Sequence, residues 1–239
     1  MKKSHKKLNA ILLSAGFGTR LRPLTLTKPK CLMEINNKSL LELWINHLQK
    51  LKADSVLINT HYLDDQVKQF LDKKKFKNIN IKEVYEEKLL GTAGTLICNR
   101  EFFKNSIGLL IHTDNFTKEN LNGLIEAHLN KPLHCLLTML TFNTDDPKSC
   151  GILEIDHLGI VNNFHEKKEN PPGNLANGAV YVFDYIFLEW IMKNCPNAKD
   201  FSTEILPKLM GKIYTWKVNG PYMDIGNLRA YSNAQKIYY

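Results

Sequence analysis

The sequence predicts an α/β fold: a mixed, mainly parallel sheet with helices on both faces. Three observations predict it. Apolar runs of strand length alternate with helical periodicities up to Pro147, the pattern of crossover connections between parallel strands. The chain has 239 residues, 44% of them hydrophobic and 23% charged, which suits one substantial core in one α/β domain. Beyond Pro147 the runs shorten and turn signals crowd between them, as an antiparallel addition to the same sheet requires.

Taken in order, the first strand is expected at 9–14. Ser39 and Glu42 stand in capping-box spacing, and Leu40, Trp44, Leu48 and Leu51 repeat at helical intervals behind them, so an amphipathic helix should pack on the sheet. A strand at 55–60, a helix at 63–71 and a strand at 79–84 follow, then a helix at 93–103 entered through Gly91-Thr92-Ala93-Gly94. A strand at 107–112, a helix at 118–129 and a strand at 133–142 close the first half. Strands at 151–155, 160–165 and 177–183 are separated by the turn Asp156-His157-Leu158-Gly159 and the loop Asn170-Pro171-Pro172-Gly173. Helices at 185–192 and 203–210, a strand at 213–218 and a helix from Asn227 complete the pattern. No repeat, low-complexity tract or linker divides the chain, so one domain over 8–239 is expected behind a basic tail at 1–7.

Composition narrows the function classes. The net charge of +8 invites a nucleic-acid reading, but the lysines are scattered and carry no aromatic-basic recognition pattern; anionic small substrates account for part of the excess. Five cysteines, at 31, 98, 135, 150 and 195, are odd in number and contain no C-x-x-C pair, which indicates neither a zinc site nor a disulfide framework but reduced thiols in a cytoplasmic protein. The basic head followed by residues 8–15 imitates a signal peptide, yet its apolar run is short and is interrupted by Asn9. No stretch is long enough to span a membrane as a helix.

The most informative segment is Ala10-Ile-Leu-Leu-Ser-Ala-Gly-Phe-Gly-Thr-Arg-Leu-Arg-Pro-Leu-Thr25 with Lys28-Pro-Lys30 after it. Gly16 and Gly18 let the backbone turn its N–H groups toward an anion, Thr19 adds a hydroxyl, and Arg20 adds a rigid guanidinium fork. A dinucleotide fingerprint fails because Leu21 stands where its third glycine belongs, and no Gly-Lys-Ser/Thr closes a P-loop. A bare G-x-G after a strand is equally an ordinary turn. In an open α/β sheet, residues just past the carboxyl ends of strands are where ligands collect, which brings Asp114 in Leu110-Ile-His-Thr-Asp-Asn115 into view. By itself Asp114 reads as a helix cap or turn residue.

The whole string G-x-G-T-R-L-x-P-L-T with P-K behind it resembles the signature of the sugar-1-phosphate nucleotidyltransferases, also called nucleotide-sugar pyrophosphorylases, and it is similar in pattern to their mannose-1-phosphate guanylyltransferase type. The resemblance runs from Asn9 to about Ala234 and implies a Rossmann-like, GT-A-like nucleotidyltransferase fold, without the C-terminal β-helix domain that several members carry. It implies Arg20 and Lys30 as catalytic cations, and Ser14, Ala15, Gly16, Gly18, Thr19, Gly91 and Thr92 as nucleotide-binding residues. The stretch from Glu86 to Gly94 is similar to the loop that reads the base with backbone groups, whereas His61 is as readily a strand-end residue as a ligand contact. Gly151, Glu166, Lys167 and Asn177 fall at the sugar-phosphate positions, although Glu166 and Lys167 alone read as a solvated charge cluster. Asp114 and Asp224 match the two Mg²⁺ ligands, a metal that takes oxygen donors and shares its shell with phosphates.

Three positions depart from the pattern: Thr113 replaces a glycine, Lys168 a proline, and Asn227 a threonine. The implied reaction moves a nucleoside monophosphate from an NTP, with GTP favoured, to a sugar 1-phosphate such as mannose or heptose 1-phosphate. A cytidylyltransferase acting on phosphocholine and an inactive regulatory homologue are the alternatives. No nucleic-acid or membrane partner is expected, and the oligomeric state is left open, a homodimer included.

Overall fold

A computed structural model describes residues 6–237, so positions 1–5 of the expected tail lie outside the described residues, while Lys7 already belongs to the first strand. Strand β1 is Lys7–Leu13. A short hairpin, β2 (Glu34–Ile35) and β3 (Lys38–Ser39), precedes helix α1 (Leu40–Lys50), whose cap is the Ser39 hydroxyl accepting from Glu42 N at 3.1 Å. Then come β4 (Ser55–Thr60), α2 (Asp64–Lys74), β5 (Asn80–Tyr85), α3 (Gly91–Cys98) and β6 (Ser106–His112). A short strand β7 (Asn115–Thr117) leads to α4 (Asn122–Leu129) and β8 (Leu137–Asn143). The second half contains β9 (Gly151–Ile155), β10 (Val161–Glu166), β11 (Leu175–Asp184), α5 (Tyr185–Asn194), β12 (Ile213–Lys217), β13 (Tyr222–Asp224) and α6 (Leu228–Ile237).

The central sheet runs β5-β4-β1-β6-β11-β9-β10, with β8 beside β11 and β12 beside β8. Strands β5, β4, β1 and β6 are parallel, and β11 is antiparallel to β6, which is the mixed, mainly parallel α/β sheet expected. Side chains alternate across it. Ala10 and Leu12 of β1, Val56 and Ile58 of β4, and Ile107, Leu109 and Ile111 of β6 share one face with Trp44, Leu48, Val67 and Leu124 from the helices. Ile11, Leu57, Leu110, Tyr181 and Phe183 point the other way, onto α3 (Ala93, Leu96) and α5 (Phe187, Leu188, Ile191). Helices therefore cover both faces, because each strand's period of two sends apolar side chains to both.

Several expected bounds shift, each for a local reason. The helix expected at 118–129 starts at Asn122, since residues 115–117 pair with β13 and bury Phe116 in a third small cluster. The strand expected at 133–142 starts at Leu137, after a turn in which Cys135 N donates to Pro132 O at 2.9 Å. The helix expected at 93–103 ends at Cys98, where Asn99 Nδ2 donates back to Thr95 O and a tighter turn, Arg100–Phe103, takes over. The helix expected at 203–210 is a wide turn, Phe201–Ile205, followed by a tight one, Leu206–Leu209. Pro207 lacks the N–H that a regular helix would need there, and its ring crowds the preceding turn.

Candidate active site

The chain runs from β1 out through β4 to β5, then crosses back to lay β6 on the other side of β1. The carboxyl ends of β1 and β6 are thus a switch point, where neighbouring connections diverge and leave a crevice. Leu13 ends one strand and His112 the other, so Ser14–Arg20 and Thr113–Asp114 emerge side by side.

Gly18 has φ 62°, and a Cβ there would lie 3.0 Å from Thr25 Cγ2 and 3.1 Å from Lys30 Cβ. Only glycine closes this turn without strain. Thr25 Oγ1 donates to Gly18 O at 2.7 Å, and the chain then carries Lys30 back into the crevice, where its Nζ lies 2.6 Å from Asp114 Oδ2. A Cβ on Gly16 would meet no protein atom within 4 Å, so its backbone faces open space.

Asp224 reaches the same place from the far end of the chain. Strand β13 pairs antiparallel with β7, setting Asp224 opposite Asn115, and Ile225 N donates to Asp114 O at 2.8 Å. A Cβ on Gly226 would lie 3.0 Å from both Asp224 carboxylate oxygens and 3.2 Å from an Arg20 guanidinium nitrogen, so this glycine lets Asp224 and Arg20 approach. The two carboxylates are electrostatically unlike. Burial would raise Asp114, but the Lys30 ammonium, with His112 and Arg20 adding to it, holds it at about 2. Burial and then the Asp114 charge push Asp224 up to about 6.

Two cavities open from this point. One, of about 240 Å³, is lined by Ser14, Ala15, Gly16, Lys30, Gly91, Thr92 and Asp114, among others. The second, of about 270 Å³, is lined by Arg20, Gly151, Glu166, Lys167, Asn177 and Asp224 together with Asp114. His112 and Asp114 belong to both. Every expected site residue except Gly18 and Thr19 lines one of them, and those two form the turn that presents Arg20.

The first cavity has a polar floor that sequence reasoning missed. Glu86 is 4% exposed; its Oε1 accepts from Asn59 Nδ2 at 2.9 Å and Thr95 Oγ1 at 2.5 Å, and its Oε2 accepts from Leu90 N at 3.0 Å. Asn59 Oδ1 accepts from Ser14 N at 2.7 Å, so the Ser14 amide is engaged within the protein. The Thr92 hydroxyl accepts from Phe201 N at 2.8 Å. His61 Nδ1 contacts Glu86 O at 2.7 Å, and its ring meets Phe17 edge-on, which gives it a structural place beside the cavity. Nothing local in the sequence distinguishes Glu86 from Glu87.

In the second cavity Glu166 lies opposite Gly151 across β9 and β10, and Lys167 Nζ stands 3.5 Å from Glu166 Oε1. Asn177 is turned partly toward its own strand: Nδ2 donates to Tyr181 Oη at 2.7 Å and Oδ1 accepts from Ala179 N at 2.9 Å. Asp200, Ser202 and Thr203 also line this cavity, and sequence reasoning had placed no site residue among them.

Two departures from the family pattern have physical accounts. Thr113 donates its hydroxyl to Leu13 O at 2.5 Å and lies 3.3 Å from Ser14 Oγ, tying the ends of β6 and β1 together. Asn227 Oδ1 accepts from Ala230 N at 2.9 Å, capping α6 as a threonine could. Nothing in the structure explains Lys168.

The Asp114–Asp224 pair has the chemistry of a divalent-cation site. Asp224 Oδ1 is buried and has no hydrogen-bond partner among the described residues, a costly state for a carboxylate oxygen facing a second carboxylate. Among the described residues no three His, Cys, Asp or Glu side chains gather as a cage. Two carboxylates, with the remaining ligands supplied by phosphates and water, suit Mg²⁺.

Residues 9–239 match the family model described as nucleotidyl transferase. A Sulfolobus acidocaldarius protein assigned as a mannose-1-phosphate guanyltransferase is 32% identical over 232 residues, covering 94% of this chain and 61% of its own. The chain spans 61 to 64% of the length of the first curated relatives it matches. Among solved structures, a Bacillus anthracis chain assigned as a glucose-1-phosphate thymidylyltransferase, in complex with sucrose, superposes with TM-score 0.84 at 20% identity over 96% of this chain and 94% of that one. HddC from Yersinia pseudotuberculosis complexed with GMP-PN superposes with TM-score 0.80 at 23% identity, over 97% and 99%. At these identities the structures speak to the fold. No helix among the described residues is long and apolar enough to cross a membrane.

Proposed function

Because this chain belongs to the nucleotidyl transferase family, we propose that it transfers a nucleoside monophosphate from an NTP to a sugar 1-phosphate, releasing pyrophosphate and forming an NDP-sugar. The observation that carries this reading is the pair of cavities meeting at Asp114, with Lys30 in one and Arg20, Lys167 and Asp224 in the other. A triphosphate in the first and a sugar phosphate in the second would bring their reacting phosphates together at that seam.

The phosphate oxygen of the sugar 1-phosphate attacks the α-phosphorus in line, and pyrophosphate leaves. The nucleophile is already an anion, so the chain needs no general base. Its work is positioning and charge neutralisation. Lys30 and Lys167 hold the reacting phosphates, Arg20 neutralises charge on the departing pyrophosphate, and backbone N–H groups from Gly16 to Thr19 cradle the triphosphate. Gly91, Thr92 and the loop before them enclose the base; Gly151, Glu166 and Asn177 receive the sugar. Asp114 and Asp224 would hold Mg²⁺, which supplies charge neutralisation on phosphate oxygens when bound.

GTP is the proposed donor and mannose or heptose 1-phosphate the proposed acceptor; relatives named as mannose-1-phosphate guanyltransferases support GTP and the mannose member of that pair. The reaction is assigned to one domain over residues 8–239. The five cysteines are free, which supports a reducing, cytoplasmic setting. A matrix of common NTPs against sugar 1-phosphates and phosphocholine, read by pyrophosphate release with Mg²⁺ present, tests the whole reading. Turnover with a sugar 1-phosphate supports it; blank cells throughout refute it, and turnover confined to phosphocholine replaces the acceptor class.

A further inference from the structure

The segment from Lys199 to Thr203 connects the two cavities. On the nucleotide side, Ala93 N donates to Lys199 O at 2.9 Å, and Phe201 N donates to Thr92 Oγ1 at 2.8 Å. Gly91, with φ 80°, lies so close beneath it that a Cβ would sit 2.4 Å from Lys199 O. On the other side, Asp200 lines the acceptor cavity with Ser202 and Thr203.

The Asp200 carboxylate is held by one oxygen. Its Oδ1 accepts from Thr203 N and from Thr203 Oγ1, both at 2.8 Å, while Glu204 Oε1 accepts from Asp200 N at 2.9 Å and Lys199 N at 3.1 Å. Among the described residues Asp200 Oδ2 has no hydrogen-bond donor. A carboxylate has about four acceptor positions, so capping Thr203 leaves capacity on the second oxygen. Asn177, which lines the same cavity, already bonds Tyr181 and Ala179.

We propose that Asp200 is a specificity-determining residue for the acceptor, its Oδ2 accepting a hydrogen bond from a hydroxyl of the sugar ring. The assignment rests on the sugar-1-phosphate reading above and adds a residue to it. Glu166 and Asp200 then supply carboxylate acceptors from two separate elements of one cavity, for a ring bearing hydroxyl donors. The same segment fixes Asp200 against the nucleotide loop, so the hydroxyl contact is held in register with the reacting phosphates.

Asp200→Asn isolates the contact, because asparagine keeps an oxygen for the Thr203 cap and turns the other atom from acceptor to donor. The full chain is assayed by pyrophosphate release, varying sugar 1-phosphate at saturating NTP and the reverse. The variant should lose roughly 10- to 100-fold in kcat/KM for the sugar 1-phosphate, as expected for a lost bond to a charged acceptor, while KM for the NTP stays within about twofold. A deoxy sugar 1-phosphate lacking the hydroxyl concerned should be discriminated by wild type and not by the variant. Asp200→Ser also caps the turn and removes the second oxygen, and it should show the same acceptor-selective loss if the asparagine variant folds poorly. An unchanged acceptor kcat/KM, or an equal loss toward the NTP, overturns the proposal and leaves the reaction assignment standing. A wild-type protein that turns over no sugar 1-phosphate overturns both.

Discussion

Replacing Gly151 by alanine tests whether the second cavity receives the acceptor. Gly151 and Glu166 are opposed across β9 and β10, so neither backbone can withdraw freely. A Cβ at residue 151 would lie 2.6 Å from two ring carbons of Phe164 and 2.7 Å from Glu166 Oε2, whereas ordinary contact begins near 3.4 Å. The ring must retreat by about 0.8 Å and the carboxylate by about 0.7 Å. A displacement approaching 1 Å in a positioning group costs up to roughly 100-fold in rate, so kcat/KM for the sugar 1-phosphate should fall by roughly 10- to 100-fold. The overpacking should cost about 1–3 kcal/mol, a fall of roughly 2–12 °C in Tm for a chain of this size. Pyrophosphate-release kinetics with each substrate varied in turn, beside a thermal melt, make the measurement. KM for the NTP should hold, because its proposed cavity lies on the other side of Asp114. An unchanged acceptor kcat/KM in a folded variant, or an NTP KM that rises in the same proportion, would refute the reasoning.

Arg20→Ala and Asp114→Asn should each cost ~3 kcal/mol or more of transition-state stabilisation, a rate loss of at least about 100-fold, with the melting curve showing a folded protein; substantial retained turnover in either would overturn its role. Glu166→Ala should weaken sugar 1-phosphates selectively, and a loss that is equal for every acceptor, phosphocholine included, would argue against sugar reading. Asp184 anchors the opposite end of the sheet, with His128 Nε2 at 3.3 Å, Lys6 Nζ at 2.9 Å and Lys131 Nζ at 3.1 Å. His128 first, with Lys6 and Lys131, holds its carboxyl well below the ordinary value of 3.8. A depressed carboxyl stabilises the fold above its unfolded pKa, and that contribution fades as pH falls through the folded one. Asp184→Asn should therefore cost about 1–2 kcal/mol at pH 7, less than a fully buried pair because Lys6 is exposed, and the gap to wild type should begin to narrow below about pH 4 and go on narrowing as pH falls further. Melts over pH ~2.5–7 check it, and a gap that widens in acid would contradict the assignment.

Much of the fold was legible because its signals are local. Strand alternation, the Ser39–Glu42 cap and the glycine turn after β1 act over a few residues, and the structure carries each of them. The Gly16–Gly18 turn by itself read equally as an ordinary turn, and only the longer string through Lys30 made it a candidate phosphate loop. Local signals failed where a distant partner outweighed them: residues 115–117, where no strand was expected, pair with β13 over a hundred residues away, and the helix expected at 118–129 starts only at Asn122.

The sequence by itself determined the sheet class, the glycine turn after β1 and the family resemblance, since these depend on residue type at short, fixed spacing. Tertiary structure alone decided that Asp224 stands beside Asp114, that Glu86 rather than Glu87 is buried under the first cavity, and that Asp200 enters the second. Their neighbours lie far along the chain, brought close by the return of β6 to the side of β1 and by the β7–β13 ribbon, and no periodicity in the sequence encodes that distance.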